Sequence, residues 1–537
     1  MIRAILTALL AVAFLITTTA HVRGDAAPAN GAAPDSGLPS TITSIMHKPR
    51  YAHATWSLMV TDLAYGNTIY ALHADRLAFT GSVRKLFSVG VALDRLGPDH
   101  RLRTPVYRAG TVGPNGRLTG DLFLLGAGDL TFGGRFAQGG TVAYTNFDHN
   151  DANNLGTAIL TPQDPLRGLN DLARQVKTSG IRSISGDVVV DDRLFENYRV
   201  PNGNLLITPI LVNENMVDVT VTPTTPGQPA RFDWRPKTAA FRVASTVRTV
   251  AAGKPADVQL SNKGLVDCDW RATCTGTISG TIPVGYKAPL SGEPTLVQTF
   301  RVEDPASFAR IAFIQALRRA GVAVGAPMLR SNPQSRLPAR NSYRAKDRIA
   351  EFVSAPYAEF AKLVLKVSLN LGANLSLSLF GVDNDARTIG GALAAERQTL
   401  EAMGISGRDF NFPTNGSGSP DSQAAPRAVV ELLSVMAKTS VASAYRASLP
   451  ILGVDGSLAG TGTTLPARGH VFAKTGTTVE AGALKAQVLA GYIDAKGGRK
   501  LAFALFVNNA GPLKNISDVA DVFTDEAEIT NAIYSSN

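Results

Sequence analysis

Cysteine and histidine are both scarce in this chain of 537 residues, which has two cysteines and seven histidines. The cysteines, Cys268 and Cys274, have no histidine near them in the sequence, as a zinc site built on two cysteines would require. In an exported chain the simplest interpretation of such a pair is a disulfide that closes a short loop. We therefore expect a disulfide here, with a metal site as the alternative.

Several well-known catalytic and binding signatures are also absent. The sequence contains no Gly-x-Ser-x-Gly nucleophile elbow, no His-Glu-x-x-His, no phosphate-binding loop and no dinucleotide-binding Gly-x-Gly-x-x-Gly. The few histidines offer no candidate for a Ser-His-Asp triad. A serine nucleophile in this chain would therefore need a base other than histidine.

The charge is positive but diffuse. The formal net charge is +10, yet no run of Lys and Arg interleaved with aromatic residues appears, so we expect no nucleic-acid partner. Charged residues make up 18% and apolar residues 45%, which favours a folded globular protein over a disordered one. The length predicts two to four domains, by an estimate of about 100–200 residues for each.

The N-terminus predicts export. Arg3 precedes an apolar stretch over residues 4–16 and then small residues, so we interpret residues 1–20 as a signal peptide, with an uncleaved anchor as the alternative. Residues 21–40 are a low-complexity linker. No other stretch is long and apolar enough for a membrane anchor. We expect an exported protein, periplasmic or otherwise extracytoplasmic. The diffuse positive charge also suits association with an anionic cell wall.

Ser82 stands at the head of a predicted helix. Gly97 and Pro98 give the helix its stop signal, and Lys85 lies three residues after the serine, on the same face. Unpaired N–H groups at a helix start favour developing negative charge, and a nearby amine can activate a serine. The helix itself is predicted from apolar residues that recur at three- and four-residue steps: Leu86, Val89, Leu93 and Leu96.

A second polar motif, Ser368-Leu369-Asn370, lies inside an apolar run that predicts one helix over residues 358–371. Polar side chains on such a run are usually satisfied core groups or caps. This motif alone therefore does not indicate a function.

A third motif, Lys474-Thr475-Gly476-Thr477, follows a short predicted strand over residues 471–473. Gly476 allows the backbone to approach a ligand closely, and Lys474 with Thr475 supplies a cation and donors for a carboxylate. An ordinary turn is the alternative. The order Ser-x-x-Lys, Ser-x-Asn, Lys-Thr-Gly, however, is the signature of the penicillin-recognising serine acyl transferases.

Beyond these motifs, the chain resembles the class C low-molecular-mass penicillin-binding proteins, which are D-alanyl-D-alanine carboxypeptidases and endopeptidases. Members carry accessory domains between the Ser-x-x-Lys helix and the Ser-x-Asn element, similar to the long gap from Ser82 to Ser368. The segments that echo the family pattern are residues 81–86, 92–98, 120–123, 126–129, 186–191, 366–371, 415–418, 453–458, 473–476 and 489–493.

The resemblance implies an α/β (α+β) serine β-lactamase/transpeptidase-like fold, in which helices flank an antiparallel sheet and β-rich accessory domains are inserted. Residues 41–101 and 341–537 are expected to form the catalytic domain. Residues 102–127 and 183–340 are expected to form an inserted accessory domain, and residues 128–182 a second small subdomain.

The resemblance also implies roles for the motif residues. Ser82 attacks the carbonyl between two terminal D-alanines of a peptidoglycan stem peptide, and Lys85 takes its proton. Ser368 and Asn370 relay the proton and orient the substrate. No metal or organic cofactor is needed. The backbone N–H groups of Ser82 and Thr477 form the oxyanion hole. Substrate binding is assigned to the residues of the third motif: Lys474, Thr475, Gly476 and Thr477.

Two rival functions follow from the same motifs. β-Lactams would acylate Ser82 and leave slowly, whereas a β-lactamase or esterase of the same fold would release its product fast; the long insertion argues against that alternative. A catalytically decayed cell-wall-binding scaffold would not react at all. Four features depart from the family pattern: Leu369, Asn374, the segment 415–420 and the long connection 478–486.

Overall fold

A computed structural model describes residues 37–514 and 517–537 of the chain. The predicted signal peptide and most of the predicted linker lie outside the described residues. No helix within the described ranges is both long enough and apolar enough to cross a membrane.

One antiparallel sheet combines early and late parts of the chain. Its first hairpin pairs with a second hairpin from near the end of the sequence. Both hairpins carry long apolar runs, so both faces of the sheet must be buried against other elements. The hairpins predicted over residues 56–72 and 487–508 both form. In spatial order the strands are β2 (Thr68–Leu72), β1 (Thr55–Asp62), β24 (Lys500–Asn508), β23 (Ala483–Asp494) and β22 (Val471–Glu480).

Helices cover both faces of this sheet, as the fold class requires. The helices of the described residues are α1 (Ser40–Met46), α2 (Lys85–Leu96), α3 (Ala152–Leu155), α4 (Arg167–Thr178), α5 (Pro305–Arg319), α6 (Tyr357–Lys366), α7 (Asn370–Asp383), α8 (Ile389–Ala402), α9 (Pro426–Met436), α10 (Ala442–Ala447) and α11 (Ser517–Ser536). Helices α2, α6, α7 and α9 share one core with the inner face, while α1 and α11 cover the outer face. Successive side chains alternate between these two cores, as strand geometry dictates.

A second sheet lies in the inserted part of the chain. Its strands in spatial order are β18 (Ala323–Val324), β6 (Ser183–Ile184), β5 (Arg117–Leu125), β4 (Arg101–Val112) and β19 (Arg348–Pro356), and β7 (Val188–Asp191) also pairs with β5. Helices α4 and α5 pack in the core of this sheet.

Eight further inserted strands form two four-stranded sheets. One has the order β11 (Arg231–Arg235), β10 (Met216–Thr222), β17 (Leu296–Val302) and β15 (Leu265–Val266). In the other, β16 (Cys274–Pro283) pairs with β12 (Phe241–Ser245), β13 (Arg248–Val250) and β14 (Asp257–Leu260). Two short sheets contain β20 (Phe410–Asn411), β21 (Gln423–Ala424) and β3 (Ala78–Phe79), and β8 (Tyr198–Val200) with β9 (Leu205–Ile207).

One strand and one helix pack with a different domain from the one we expected. Strand β19, which we expected in the catalytic domain, pairs with β4 of the inserted sheet. Helix α4, expected in the small subdomain, buries its apolar stripe in the same core as α5. We therefore propose that the second catalytic segment begins at Tyr357 and that residues 167–178 belong to the accessory domain.

The single helix predicted over residues 358–371 is wrong. Helix α6 ends at Lys366, and α7 begins at Asn370. Between them Ser368 has a φ of 60°, in the left-handed region, which turns the chain. The apolar run looked continuous because both helices are buried, and hydrophobicity alone does not reveal a single left-handed residue.

Candidate active site

The segment that presents Ser82 is a tight turn packed against strand β22. Residues Gly81–Arg84 form one 3-10 turn, and the α-helix begins only at Lys85, so Ser82 lies one turn before the helix whose head we predicted. Gly81 has a φ of 46°, and a Cβ there would lie 2.7 Å from the backbone nitrogen of Thr477. A Cβ on Gly476 would lie 2.3 Å from the carbonyl oxygen of Thr80. Both glycines are therefore required for this approach.

Lys85 is the centre of the polar contacts around Ser82. Its Nζ lies 2.5 Å from Ser82 Oγ, and it donates to Asn370 Oδ1 at 2.7 Å and to the carbonyl oxygen of Ser417 at 3.2 Å. Burial lowers the pKa of Lys85 to about 7, because the charged amine is out of contact with water. A substantial fraction of this amine is therefore uncharged at neutral pH, with a lone pair beside the serine hydroxyl.

Ser368 lies between two lysines. Its Oγ is 2.8 Å from Lys474 Nζ and 3.4 Å from Lys85 Nζ. The left-handed backbone of Ser368 and the start of α7 at Asn370 together direct both polar side chains of this motif toward Lys85. A hydroxyl both accepts and donates, so this position suits proton transfer.

Lys474 and Thr475 form the opposite wall of the site on β22. Lys474 is fully buried and donates to the carbonyl oxygen of Thr475 at 2.7 Å, while Thr475 Oγ1 lies 2.9 Å from Ser457 Oγ. Burial and then the charge of Lys85 hold the pKa of Lys474 well below its usual range. A carboxylate bound here would supply the missing counter-charge.

The altered segment 415–420 supports Lys85. Asn415 Oδ1 accepts hydrogen bonds from the backbone N–H groups of Ser417 and Gly418, each at 2.8 Å. This turn aims the Ser417 carbonyl at Lys85. Asn374, where relatives often carry an acid, accepts from the N–H of Gly416 at 2.9 Å. These substitutions therefore keep hydrogen-bonding geometry rather than removing it.

Sequence reasoning missed Asp151, which lies in the inserted segment. Asp151 and Arg301 line a cleft that also contains Asn370. Burial raises the pKa of Asp151, and the charge of Lys85 opposes that shift. The local sequence is rich in Asn and Asp and without periodicity, so it holds no signal for a contribution to this site.

Next to Asp151 a buried ion network anchors the inserted segment. Asp148, His149 and Glu214 offer ligand atoms within 4.8 Å of one another, the spacing of a metal site. The Arg135 guanidinium, however, donates to both oxygens of Asp148 at 2.8 Å and also contacts Glu214. His149 Nδ1 lies 2.7 Å from Asp218. Because cations already occupy the carboxylates, the arrangement favours a charge-balanced network over a metal.

The two cysteines pack against the core of the inserted part of the chain. Cys268 and Cys274 form a disulfide with a Cα–Cα distance of 6.1 Å, at the start of β16. The bridge closes the loop that joins β15 to β16, so it acts as a local staple.

Comparison with known proteins gives consistent matches. The family model described as the D-Ala-D-Ala carboxypeptidase 3 (S13) family matches residues 38–527. A D-alanyl-D-alanine carboxypeptidase from Actinomadura sp. (strain R39) is 27% identical over 503 residues, which cover 88% of this chain and 82% of that protein.

Solved structures of similar fold point the same way. Penicillin binding protein 4 (dacB) from Haemophilus influenzae has a TM-score of 0.67 at 20% identity, covering 92% of this chain and 99% of that one. A second structure of the same protein, complexed with a β-lactam, has a TM-score of 0.65 at 20% identity, with the same coverage of 92% and 99%. At this identity the likeness concerns the fold.

Proposed function

This chain belongs to the D-Ala-D-Ala carboxypeptidase 3 (S13) family, and on that premise we propose that Ser82 cleaves peptidoglycan stem peptides through an acyl-enzyme. The protein is a serine-type D-alanyl-D-alanine carboxypeptidase, a hydrolase. The observation that carries the assignment of Ser82 is the 2.5 Å separation of its Oγ from the buried amine of Lys85. A serine beside an amine of lowered pKa is an activated nucleophile.

The first half of the reaction forms the acyl-enzyme. Ser82 Oγ attacks the carbonyl carbon of the penultimate D-alanine while Lys85 Nζ takes the hydroxyl proton. The backbone N–H groups of Ser82 and Thr477 stabilise the negative charge on the carbonyl oxygen. Lys85 hands this proton to Ser368, 3.4 Å away, as the Ser368 hydroxyl gives its own proton to the amine of the leaving D-alanine. The C–N bond then breaks, Lys85 is neutral again, and the ester on Ser82 remains.

Hydrolysis of the ester completes the reaction. A water molecule gives a proton to the Lys85 amine and attacks the ester carbonyl. The Ser82 oxygen then leaves and takes that proton from Lys85, which restores the neutral amine. Asn370, which accepts from Lys85 at 2.7 Å, keeps the amine aimed at this centre throughout both halves. The shortened peptide then departs.

The third motif gives the enzyme its preference for a free chain end. Lys474 and Thr475 bind the terminal carboxylate of the substrate, because together they supply a cation and a hydroxyl donor on one rigid strand. Binding of the carboxylate would raise the pKa of Lys474 back toward its ordinary value. Extracytoplasmic location follows from the substrate, since stem peptides belong to the cell wall.

The test of this proposal combines adduct mapping with product release. After treatment with a penicillin, mass spectrometry of the folded protein should locate one adduct on the peptide that contains Ser82. A synthetic peptide ending in D-Ala-D-Ala should release D-alanine, and protein pre-treated with penicillin should not. Rapid turnover of the penicillin without D-alanine release would favour the β-lactamase. A folded protein that does neither would favour the decayed scaffold.

The rate of acylation should rise with pH through a midpoint near 7. Below that midpoint Lys85 carries a proton and cannot accept another; above it the neutral amine acts as base. The second-order rate constant for acylation, measured between pH 5.5 and 8.5, reports this group in the free enzyme. A rate that falls or stays flat across this range would exclude Lys85 as the base.

Asp151→Asn should shift the dependence of the acylation rate on pH. The Asp151 carboxylate raises the pKa of Lys85, so its removal should move the midpoint to lower pH. Asp233 on β11, whose side chain is 66% exposed, gives a control: Asp233→Asn should leave the midpoint in place.

A further inference from the structure

A chain of hydrogen-bonded polar side chains leads from the substrate-binding strand to the C-terminal helix. Thr477 on β22 pairs with Gln487 on β23, and its Oγ1 donates to Gln487 Oε1 at 2.8 Å. Gln487 Nε2 in turn donates to Glu526 Oε2 on α11 at 3.3 Å. Gln487 and Glu526 are both completely buried. The mechanism above uses neither of them.

Glu526 is unusual because it is a buried carboxyl group whose partner is an amide. Its second oxygen, Oε1, has no hydrogen-bond partner among the described residues. Burial raises the pKa of the Glu526 carboxyl well above its usual range, which favours the neutral acid. A neutral carboxyl group accepts from Gln487 without carrying an unpaired charge into the core.

We propose that Gln487 and Glu526 are positioning residues that fix Thr477 in the oxyanion hole. This inference rests on the proposed function, which gives the Thr477 backbone N–H a catalytic role. The side-chain amide of Gln487 has two ends: Oε1 holds Thr477, and Nε2 is held by Glu526. Without Glu526 the amide is free to rotate and present its NH₂ group to the threonine hydroxyl, which must then reorient to accept where it now donates.

The site has little tolerance for such a displacement. The backbone nitrogen of Thr477 lies 2.7 Å from where a Cβ on Gly81 would stand, so β22 and the turn that carries Ser82 are in direct contact. Oxyanion donors act at about 2.7–3.1 Å from the developing charge. A shift of Thr477 by a fraction of an ångström therefore weakens transition-state binding more than substrate binding.

Three variants separate this role from a general effect on folding. Glu526→Leu removes the acceptor, and Gln487→Met removes both ends of the amide; each should lower the acylation rate constant of bound β-lactam about tenfold. That loss is smaller than the 10²–10³-fold cost of deleting an oxyanion donor outright. The dissociation constant of the non-covalent complex should stay unchanged. Glu526→Gln keeps an acceptor oxygen for Gln487 and should stay within about twofold of the unmodified protein.

Glu528 on the same helix provides the matched control. Its side chain is 46% exposed, so Glu528→Gln should alter neither constant. The inference is overturned if folded Glu526→Leu and Gln487→Met acylate at the rate of the unmodified protein. It is also overturned if Glu526→Gln is as slow as Glu526→Leu. If Glu526→Leu does not fold, the acylation rate constants of Gln487→Met and Glu526→Gln test the inference. Failure of the unmodified protein to acylate would instead refute the proposed function.

Discussion

Labelling by a fluorescent penicillin is expected to disappear in Ser82→Ala and to slow by about 10²–10⁴-fold in Lys85→Met. Alanine leaves no oxygen to form the ester. Methionine keeps most of the buried volume of Lys85 but offers no base for the serine proton. Because the lysine also donates to Asn370 and to the Ser417 carbonyl, its loss further loosens the groups that surround Ser82.

The measurement is the rate of appearance of the labelled protein band over a series of penicillin concentrations. Lys346→Met serves as a control, because Lys346 lies on the surface of the accessory part, and its rate should equal that of the unmodified protein. Circular dichroism should show that each variant is folded. Label retained by Ser82→Ala, or a Lys85→Met rate within about tenfold of the original, would contradict the assigned roles.

Arg84→Met is expected to lower the free energy of unfolding by about 3–5 kcal/mol, the usual cost of removing one partner of a buried ion pair. The Arg84 guanidinium, wholly buried, binds both oxygens of Glu396 on α8, with Nη1 at 2.8 Å from Oε1. It also stacks on Phe412, 4.0 Å from the ring centroid. Without it, Glu396 is left as an unpaired carboxylate in the core.

Chemical denaturation of four variants tests this prediction. Glu396→Leu should cost a similar amount, and Arg84→Met/Glu396→Leu should recover much of the loss, because no lone charge remains buried. Arg95 on α2, the helix that follows Arg84, pairs with Asp383 at the surface, with the two side chains 53% and 43% exposed. Arg95→Met should therefore cost less than about 1 kcal/mol. Losses from Arg84→Met and Arg95→Met of equal size would refute the prediction.

The sequence predicted those elements of the site that depend on neighbouring residues alone. The stripe in α2 and the left-handed Gly97 after it follow from helical periodicity and a stop signal. The strand that carries Lys474 follows from a short apolar run. Order and spacing of the three motifs then indicated the chemistry, and the structure places Ser82, Lys85 and Asn370 within hydrogen-bonding distance.

Other features depend on partners far away in the chain, which local patterns cannot reveal. Glu396 lies 312 residues after Arg84, and its helix has no sequence signal for a buried acid. Asp151 lines the cleft from the inserted segment, close in sequence to the buried ion network around Arg135. The left-handed turn at Ser368 could not be predicted, because the apolar residues on both sides of it fit one continuous helix. In each case tertiary packing overrides what the neighbouring residues favour.

The antiparallel sheet has a consequence for the order of folding during synthesis. Strand β1 emerges from the ribosome early, yet its neighbour β24 is among the last strands made. Until then β1 has an open edge and the turn with Ser82 has no β22 to pack against. The site around the proposed nucleophile is therefore assembled only when the nascent chain is nearly finished. Such late, long-range pairing is slow, so a chain crossing a membrane unfolded would become an active hydrolase only after translocation.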